Sequence, residues 1–299
     1  MDLTTPFPES HERRAELLLL AVVSIWALNA PFAKYGLGGL DIWVFNGIRF
    51  TVASLLLLGI FLWRNTWVPV IRSDWPKLIG LGLLGNFFYQ LFYIFGLNMT
   101  TAGNSAVLLA TSPLWTALLS AWIHKGKVFP QQWFGMLASF VGIAMIIIGS
   151  GKKLAFGSEA IVGDLLSLGA AILWGLNTNL LKPLLSRYSA MQISVVTIGV
   201  GAVCLIVAAL PDAMAHSWSS VEPVFYAIPV VSGAFSNAIA VVLFSYGIKI
   251  IGPSRSANYS NLIPVIAFVA AYLTLHEEVS LIQVIGAGVT VAGVWIARR

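Results

Sequence analysis

Gly96-Leu-Asn-Met-Thr-Thr-Ala-Gly-Asn-Ser-Ala-Val-Leu-Leu-Ala-Thr-Ser-Pro-Leu-Trp115 is apolar enough to enter a membrane, yet it holds small residues, hydroxyls, Asn104 and a proline in one helical run. A related stretch, Gly247–Ile266, follows 151 positions later, where Gly96 answers to Gly247, Ser105 to Ser256, Ala106 to Ala257 and Pro113 to Pro264. A polar, proline-containing helix and its copy point to a two-fold machine built around a central site.

Working outward, the whole chain has the same character. Of its 299 residues 58% are hydrophobic and only 10% are charged, against about 25% charged in soluble domains. A chain with mean hydropathy +0.87 cannot hide its apolar surface in one soluble core and must face lipid. The 11 Trp, 17 Phe and 8 Tyr fit interfacial belts, with some left to line a pocket. Cys204 is the only cysteine, which excludes an intrachain disulfide and any Cys-based metal or redox motif. The first 16 residues are polar and of mixed charge. The apolar run after them lacks a small-residue cleavage site, so a retained helix is expected there.

A spanning helix needs about 20 mostly apolar residues. Windows of that size fall at 17–35, 42–63, 77–97, 104–123, 131–149, 162–181, 190–210, 223–248, 256–275 and 280–297. The expected fold is therefore an all-α integral membrane protein of ten helices. The basic residues test the count. With a cytoplasmic N-terminus, thirteen of the 17 Lys and Arg fall in inside segments and only Lys152 and Lys153 outside, while Lys34 and Arg49 fall within helices. This is the positive-inside asymmetry, and it accounts for the net charge of +5 without a nucleic-acid partner. Both termini are then cytoplasmic.

The two halves match beyond the opening stretch. Trp26-Ala27-Leu28-Asn29 with Lys34 recurs as Trp174-Gly175-Leu176-Asn177 with Lys182, at an offset of 148. Gly135 and Gly142 recur as Gly286 and Gly293, at 151. Five helices is an odd number, so the second copy enters the membrane from the opposite side, an arrangement suited to alternating access. The expected organisation is a cytoplasmic segment 1–16, a first repeat 17–149, an external linker 150–161 and a second repeat 162–299.

These features resemble the drug/metabolite transporter superfamily, of the EamA type. The resemblance is carried by the Trp-x-x-Asn near the start of each repeat, the small-residue helices ending in Ser112-Pro113 and Ile263-Pro264, and the glycine-bearing closing helices. Glu277 and Glu278 match the acidic residue that often precedes a repeat's last helix, whereas Gly126 and Lys127 depart from it. The resemblance covers the chain from about Leu17 to Ala297. It implies transport of amino acids, drugs, sugars linked to nucleotides or other metabolites, and bacterial members are often exporters.

The candidate cavity residues are polar or aromatic groups inside apolar helices, where an amide must find hydrogen-bond partners. Asn29 and Asn177 are either glue between helices or cavity groups, and Trp26 and Trp174, three residues earlier, share their faces. Tyr89 and Tyr93 lie four apart on the third helix, with Asn86 and Gln90 on the adjoining face. The eighth helix offers Asn237 and Tyr246 with several serines, and the ninth has a polar start with Asn258 and Tyr259. Ser112 and Trp115 complete the set near Pro113. Pro31, Pro113, Pro183 and Pro264 are candidate hinges, since each removes a backbone hydrogen bond. Charges inside a membrane default to function, which singles out Lys34 and Arg49. The glycine stripes at seven-residue spacing are packing surfaces, within the molecule or between copies.

No Asp or Glu falls near the middle of any expected helix, so transport driven by the solute gradient is expected. There is no Gly-rich phosphate loop, no metal-spaced His/Cys cluster and no Ser-His-Asp group at one depth. Neither an enzyme nor a cofactor or metal site is expected. The expected substrate is an amino acid or a related neutral or zwitterionic metabolite, exported from a bacterial cell through its inner membrane around a central cavity between the repeats. Multidrug efflux and exchange of phosphorylated or nucleotide-linked sugars are the alternatives, and the last needs more inward Lys or Arg than Arg49 and Lys34 supply. The chain is expected to act as a monomer, with a homodimer left open.

Overall fold

Every apolar run of the sequence has become helix, and the polar and Gly/Pro residues between runs set where each begins and ends. The computed structural model describes residues 9–65, 67–100, 102–125, 129–149, 158–275 and 280–298, and among them there is no strand. Helix α1, Glu9–Gly36, opens with Glu9 and Glu12 in its first turn, where carboxylates complement the helix dipole. It therefore starts eight residues ahead of the expected Leu17 and takes Glu16 into the helix. Helix α2, Ile42–Arg64, is capped by Asp41, whose carboxylate accepts from the backbone N–H of Trp43 at 2.7 Å.

The third run begins with a 3₁₀ turn, Arg72–Asp74, and α3, Trp75–Gly82. It passes through a π-helical turn, Leu83–Phe88, into α4, Tyr89–Met99. The fourth run is not one helix. It divides into α5, Ala102–Leu109, and α6, Ser112–His124. Pro113 lies in the first turn of α6, where no backbone N–H is needed, so it starts a helix and does not kink one. Helix α7 is Pro130–Gly149, α8 is Ser158–Leu185 and α9 is Ala190–Ala215. The eighth run repeats the plan of the third: α10, Pro223–Ser232, a π-helical turn, Gly233–Ile239, and α11, Ala240–Ile251.

The ninth run is also divided. Gly252 adopts φ 85°, a conformation that favours glycine, and α12, Pro253–Asn258, follows. A 3₁₀ turn, Tyr259–Asn261, leads to α13, Leu262–Leu275, with Pro264 in its first turn. Helix α14, Leu281–Arg298, closes the chain. Among the described residues seven runs are long and apolar enough to cross a membrane: Glu9–Ala33, Ile42–Arg64, Arg72–Gly96, Pro130–Gly149, Ile161–Leu185, Ala190–Ala215 and Pro223–Ile251. Val107–Ile123 and Leu281–Ala297 are shorter apolar helices.

The chain forms two compact units, one of Met1–Phe87 with Pro183–Lys249, the other of Phe88–Lys182 with Ile250–Arg299. Each draws on both halves of the sequence, so the units and the sequence repeats divide the chain differently. The first unit is cored by α2 against α9, where Phe50, Ala53 and Leu57 meet Ile198, Ala202 and Leu205. At one end Asp74 is buried and accepts from Lys77 Nζ at 2.9 Å, Arg187 at 2.9 Å and the Tyr188 hydroxyl at 3.0 Å.

The second unit is cored by α7 against α14. Their glycine stripes face each other, with Gly135 against Gly293 and Gly142 against Gly286, and the backbones approach too closely for side chains between them. Of the two uses expected for the stripes, packing within the molecule is the one realised.

Matched contacts occur separately in the two units. In the first, Gly247 of α11 lies against Leu19 of α1; in the second, Gly96 of α4 lies against Ser167 of α8. Leu19 and Ser167 are related by the offset of 148 that relates Trp26 to Trp174.

Candidate functional site

In the first unit, α1 presents Trp26 and Asn29 to the eighth run. The Trp26 indole N–H donates to the Ser236 carbonyl at 3.1 Å, and its ring lies 5.3 Å from that of Phe244. Asn29 Oδ1 accepts from the Ser232 hydroxyl at 2.6 Å. Both groups thus serve as glue within this unit. Asn237, inside the π-helical turn, accepts from Arg49 at 2.9 Å, and Arg49 also donates to Asn46 Oδ1 at 3.2 Å. The guanidinium lies 5.6 Å from the centre of the Phe45 ring and is almost wholly buried. Asn86, in the other π-helical turn, packs against Gly201 of α9. Tyr246 on α11 is half-buried.

In the second unit, Trp174 of α8 lies 5.2 Å from Tyr89 of α4, and Tyr89 stacks on Tyr93 at 6.1 Å with the rings nearly parallel. Three of the expected residues therefore form one aromatic group. Gly175, next to Trp174, admits the backbone of Trp115 and Thr116 from α6. Trp115 donates its indole N–H to the Thr111 hydroxyl at 3.1 Å, at the break between α5 and α6. Asn177 is half-buried one turn beyond Trp174, and Ser112 is buried. Neighbouring Asn179 is fully buried and donates to the Thr116 and Gly175 carbonyls, both at 2.9 Å.

The rest of the expected set divides by environment. Asn258, only 2% exposed, donates to the Val294 carbonyl of α14 at 3.1 Å and accepts from Asn261, and Tyr259 is buried beside it. Asn258 thus ties the broken ninth run to α14. Pro31 lies inside α1 and Pro183 near the end of α8, both exposed. The side chains of Lys34 and Asn104, and residues Gly126, Lys127, Lys152, Lys153, Glu277 and Glu278, lie outside what is described. Among the described residues no group of His, Cys, Asp and Glu could hold a metal.

Two carboxylates stand outside the expected site set, Glu16 and Asp164, the latter expected at the outer start of the sixth helix. Glu16, 6% exposed, lies about two turns into α1. Asp164 lies about as far into α8 and accepts from the Thr100 hydroxyl at 2.6 Å. The offset between them is 148, the same as between Trp26 and Trp174. That register is the signal that could have paired them, and it was obscured because the first helix was expected to start at Leu17. Both groups are nearer the helix ends than the middle, but they are intrahelical carboxylates. The expectation of gradient-driven transport rested on the absence of such groups at mid-depth, and neither Glu16 nor Asp164 lies there.

The EamA-like transporter family model matches residues 13–148 and again 161–299. The chain belongs to this family. A protein of Archaeoglobus fulgidus, named an uncharacterized transporter, is 29% identical over 283 residues, covering 95% of this chain and 96% of its own. A probable terminal-alkyne amino-acid exporter of Streptantibioticus cattleyicolor is 28% identical over 288 residues, covering 94% and 92%. A crystal structure 19% identical in sequence superposes with TM-score 0.81 over 95% of this chain and 98% of its own, a likeness of fold. With seven runs able to span a bilayer, this EamA-like transporter is a multi-pass membrane protein, of a family of transporters and not of enzymes.

Proposed function

We propose that this EamA-like transporter exports amino acids or related neutral or zwitterionic metabolites from a bacterial cell by alternating access. In this reading ten helices cross the inner membrane as two inverted repeats, 17–149 and 162–299, joined by an external linker. The observation that carries it is the pair of matched contacts, Leu19 with Gly247 in one unit and Ser167 with Gly96 in the other. Offsets read from sequence alone recur as equivalent packing, as expected for two copies of one five-helix plan.

The substrate class follows from the chemistry of the groups on offer. Trp174, Tyr89 and Tyr93 form an aromatic surface, Asn177 supplies an amide nearby in sequence, and none of them is charged. Such groups accept neutral or zwitterionic solutes. Arg49, a buried cation of the expected set, already donates to two amide oxygens, which disfavours a phosphate-binding role. The amino-acid exporter among the relatives supports the same class.

Purified protein in proteoliposomes, offered radiolabelled amino acids, cationic drugs and phosphorylated sugars in parallel, tests the reading. Amino-acid flux above that of empty liposomes is expected. Flux of phosphorylated sugars or of drugs alone would replace it with the corresponding alternative.

A further inference from the structure

The eighth run does not cross as one regular α-helix. Its π-helical turn, Gly233–Ile239, interrupts the ordinary ladder with i→i+5 bonding. Side chains from two other helices of the same unit hold the turn. From α1, Trp26 donates to the Ser236 carbonyl and Asn29 accepts from Ser232, the residue just before the turn. From α2, Arg49 donates to Asn237, and Gly233 lies so close to the Arg49 backbone carbonyl that a β-carbon there would collide. The Trp-x-x-Asn motif and the buried arginine thus converge on one irregular segment.

The third run has a π-helical turn at the matching place. Gly82 answers to Gly233 and Asn86 to Asn237, both at the offset of 151 that relates Gly96 to Gly247. Gly82 abuts the Thr197 carbonyl of α9 just as Gly233 abuts that of Arg49 in α2. Well under 1% of residues in proteins are π-helical. Two such turns in register, with equivalent neighbours, are a designed feature of the repeat. The boundary between the compact units also falls at Phe87 and Phe88, the end of the first turn. A π-helical turn holds one extra residue, so losing or moving it rotates the helix beyond by about 100°, one residue's share of a 3.6-residue turn.

We infer that the two π-helical turns are paired joints of the transport cycle, and that Trp26, Asn29 and Arg49 are positioning residues that hold the eighth-run joint in one of its states. This rests on the alternating-access reading above. The first copy of the motif, Trp26 and Asn29, acts on the solute through the joint and not by contact with it.

The test uses the full-length protein with Cys204→Ala and a single reporter cysteine, Asn104→Cys or Ser254→Cys, at the ends expected to face the outside and the cytoplasm. Alkylation rates at the two reporters give the balance of states, and hydrogen exchange followed by mass spectrometry reads the turn itself. Trp26→Phe keeps a ring and removes the donor; Asn237→Leu removes the acceptor for Arg49. Each should speed exchange in 233–239 by about two- to tenfold, the factor for one net hydrogen bond. Each should also shift the ratio of alkylation rates in the same direction. Deleting Phe235, which removes the extra residue, should leave one reporter far less reactive than the other.

A merely structural role predicts a lower thermal midpoint and faster exchange, with an unchanged alkylation ratio in both point variants. That result overturns the inference even if the deletion variant does not fold. Neither readout uses a solute, so failure of the amino-acid screen and failure of the joints are distinguishable.

Discussion

Gly142 of α7 and Gly286 of α14 meet backbone to backbone: a methyl on Gly142 would fall 2.5 Å from the Gly286 carbonyl oxygen, and one on Gly286 2.7 Å from that of Gly142. Helix association in lipid gains from such close approach, because lipid chains compete with any larger apolar side chain. Gly142→Ala should destabilise the protein by about 1–3 kcal/mol, the cost of overpacking a filled contact. Gly288, on the same helix, has open space around it, and Gly288→Ala should be neutral or stabilising. Thermal unfolding in detergent compares the two. Equal midpoints would show that the α7–α14 contact is not tight.

Trp174, Tyr89 and Tyr93 form the aromatic group best suited to a solute. Trp174→Ala and Tyr93→Ala should raise KM for transported amino acids several-fold while the protein stays folded. Asn258→Ala should act differently, because its amide bonds the Val294 carbonyl. It should lower stability by about 1–3 kcal/mol through the carbonyl left unpaired. A KM effect from Asn258→Ala without loss of stability would move it back into the cavity set.

Glu16 and Asp164 occupy equivalent places in α1 and α8. Carboxylates inside apolar helices are costly and are kept for function. Glu16→Gln and Asp164→Asn should both leave a folded protein, the latter because Asn can still accept from Thr100. Both should lower the initial rate of amino-acid transport. Wild-type rates in both would make the pair structural.

Asp74 joins the start of α3 to Arg187 and Tyr188 in the connection between α8 and α9. The Lys77 and Arg187 side chains are largely exposed, whereas Asp74 is buried. Removing the shared acceptor leaves the buried Tyr188 hydroxyl without it, while removing the exposed Lys77 ammonium leaves Asp74 its bonds to Arg187 and Tyr188. Asp74→Ala should therefore lower the melting temperature more than Lys77→Ala does. The reverse order would contradict the geometry.

The apolar runs and the repeat offsets were legible in the sequence because they depend on local composition. Lipid offers no hydrogen bonds to the backbone, so an apolar run of spanning length has little choice but helix. The glycine stripes were legible as packing surfaces for the same reason, though not which surface each would meet. Helix ends were less legible. Glu9 and Glu12 extend α1 outward, which hid the match between Glu16 and Asp164 until the register was followed past the apolar run.

The sequence by itself determined an all-helical membrane transporter of repeated plan, because hydropathy and periodicity act over about twenty residues. Only the tertiary structure decided where the runs are interrupted and what each polar side chain does. Whether Trp26 lines a cavity or braces a π-helical turn depends on Ser236, 210 residues away. Whether Pro113 bends a helix or begins one depends on how Thr111 and its neighbours satisfy the backbone at the break. The stretch Gly96–Trp115 reads as one polar helix in sequence. In the structure it is the end of α4, then α5 and the start of α6, with Gly96 against Ser167 and Trp115 bonded to Thr111. Local composition cannot show this, because the partners that stabilise a broken helix come from elsewhere in the chain.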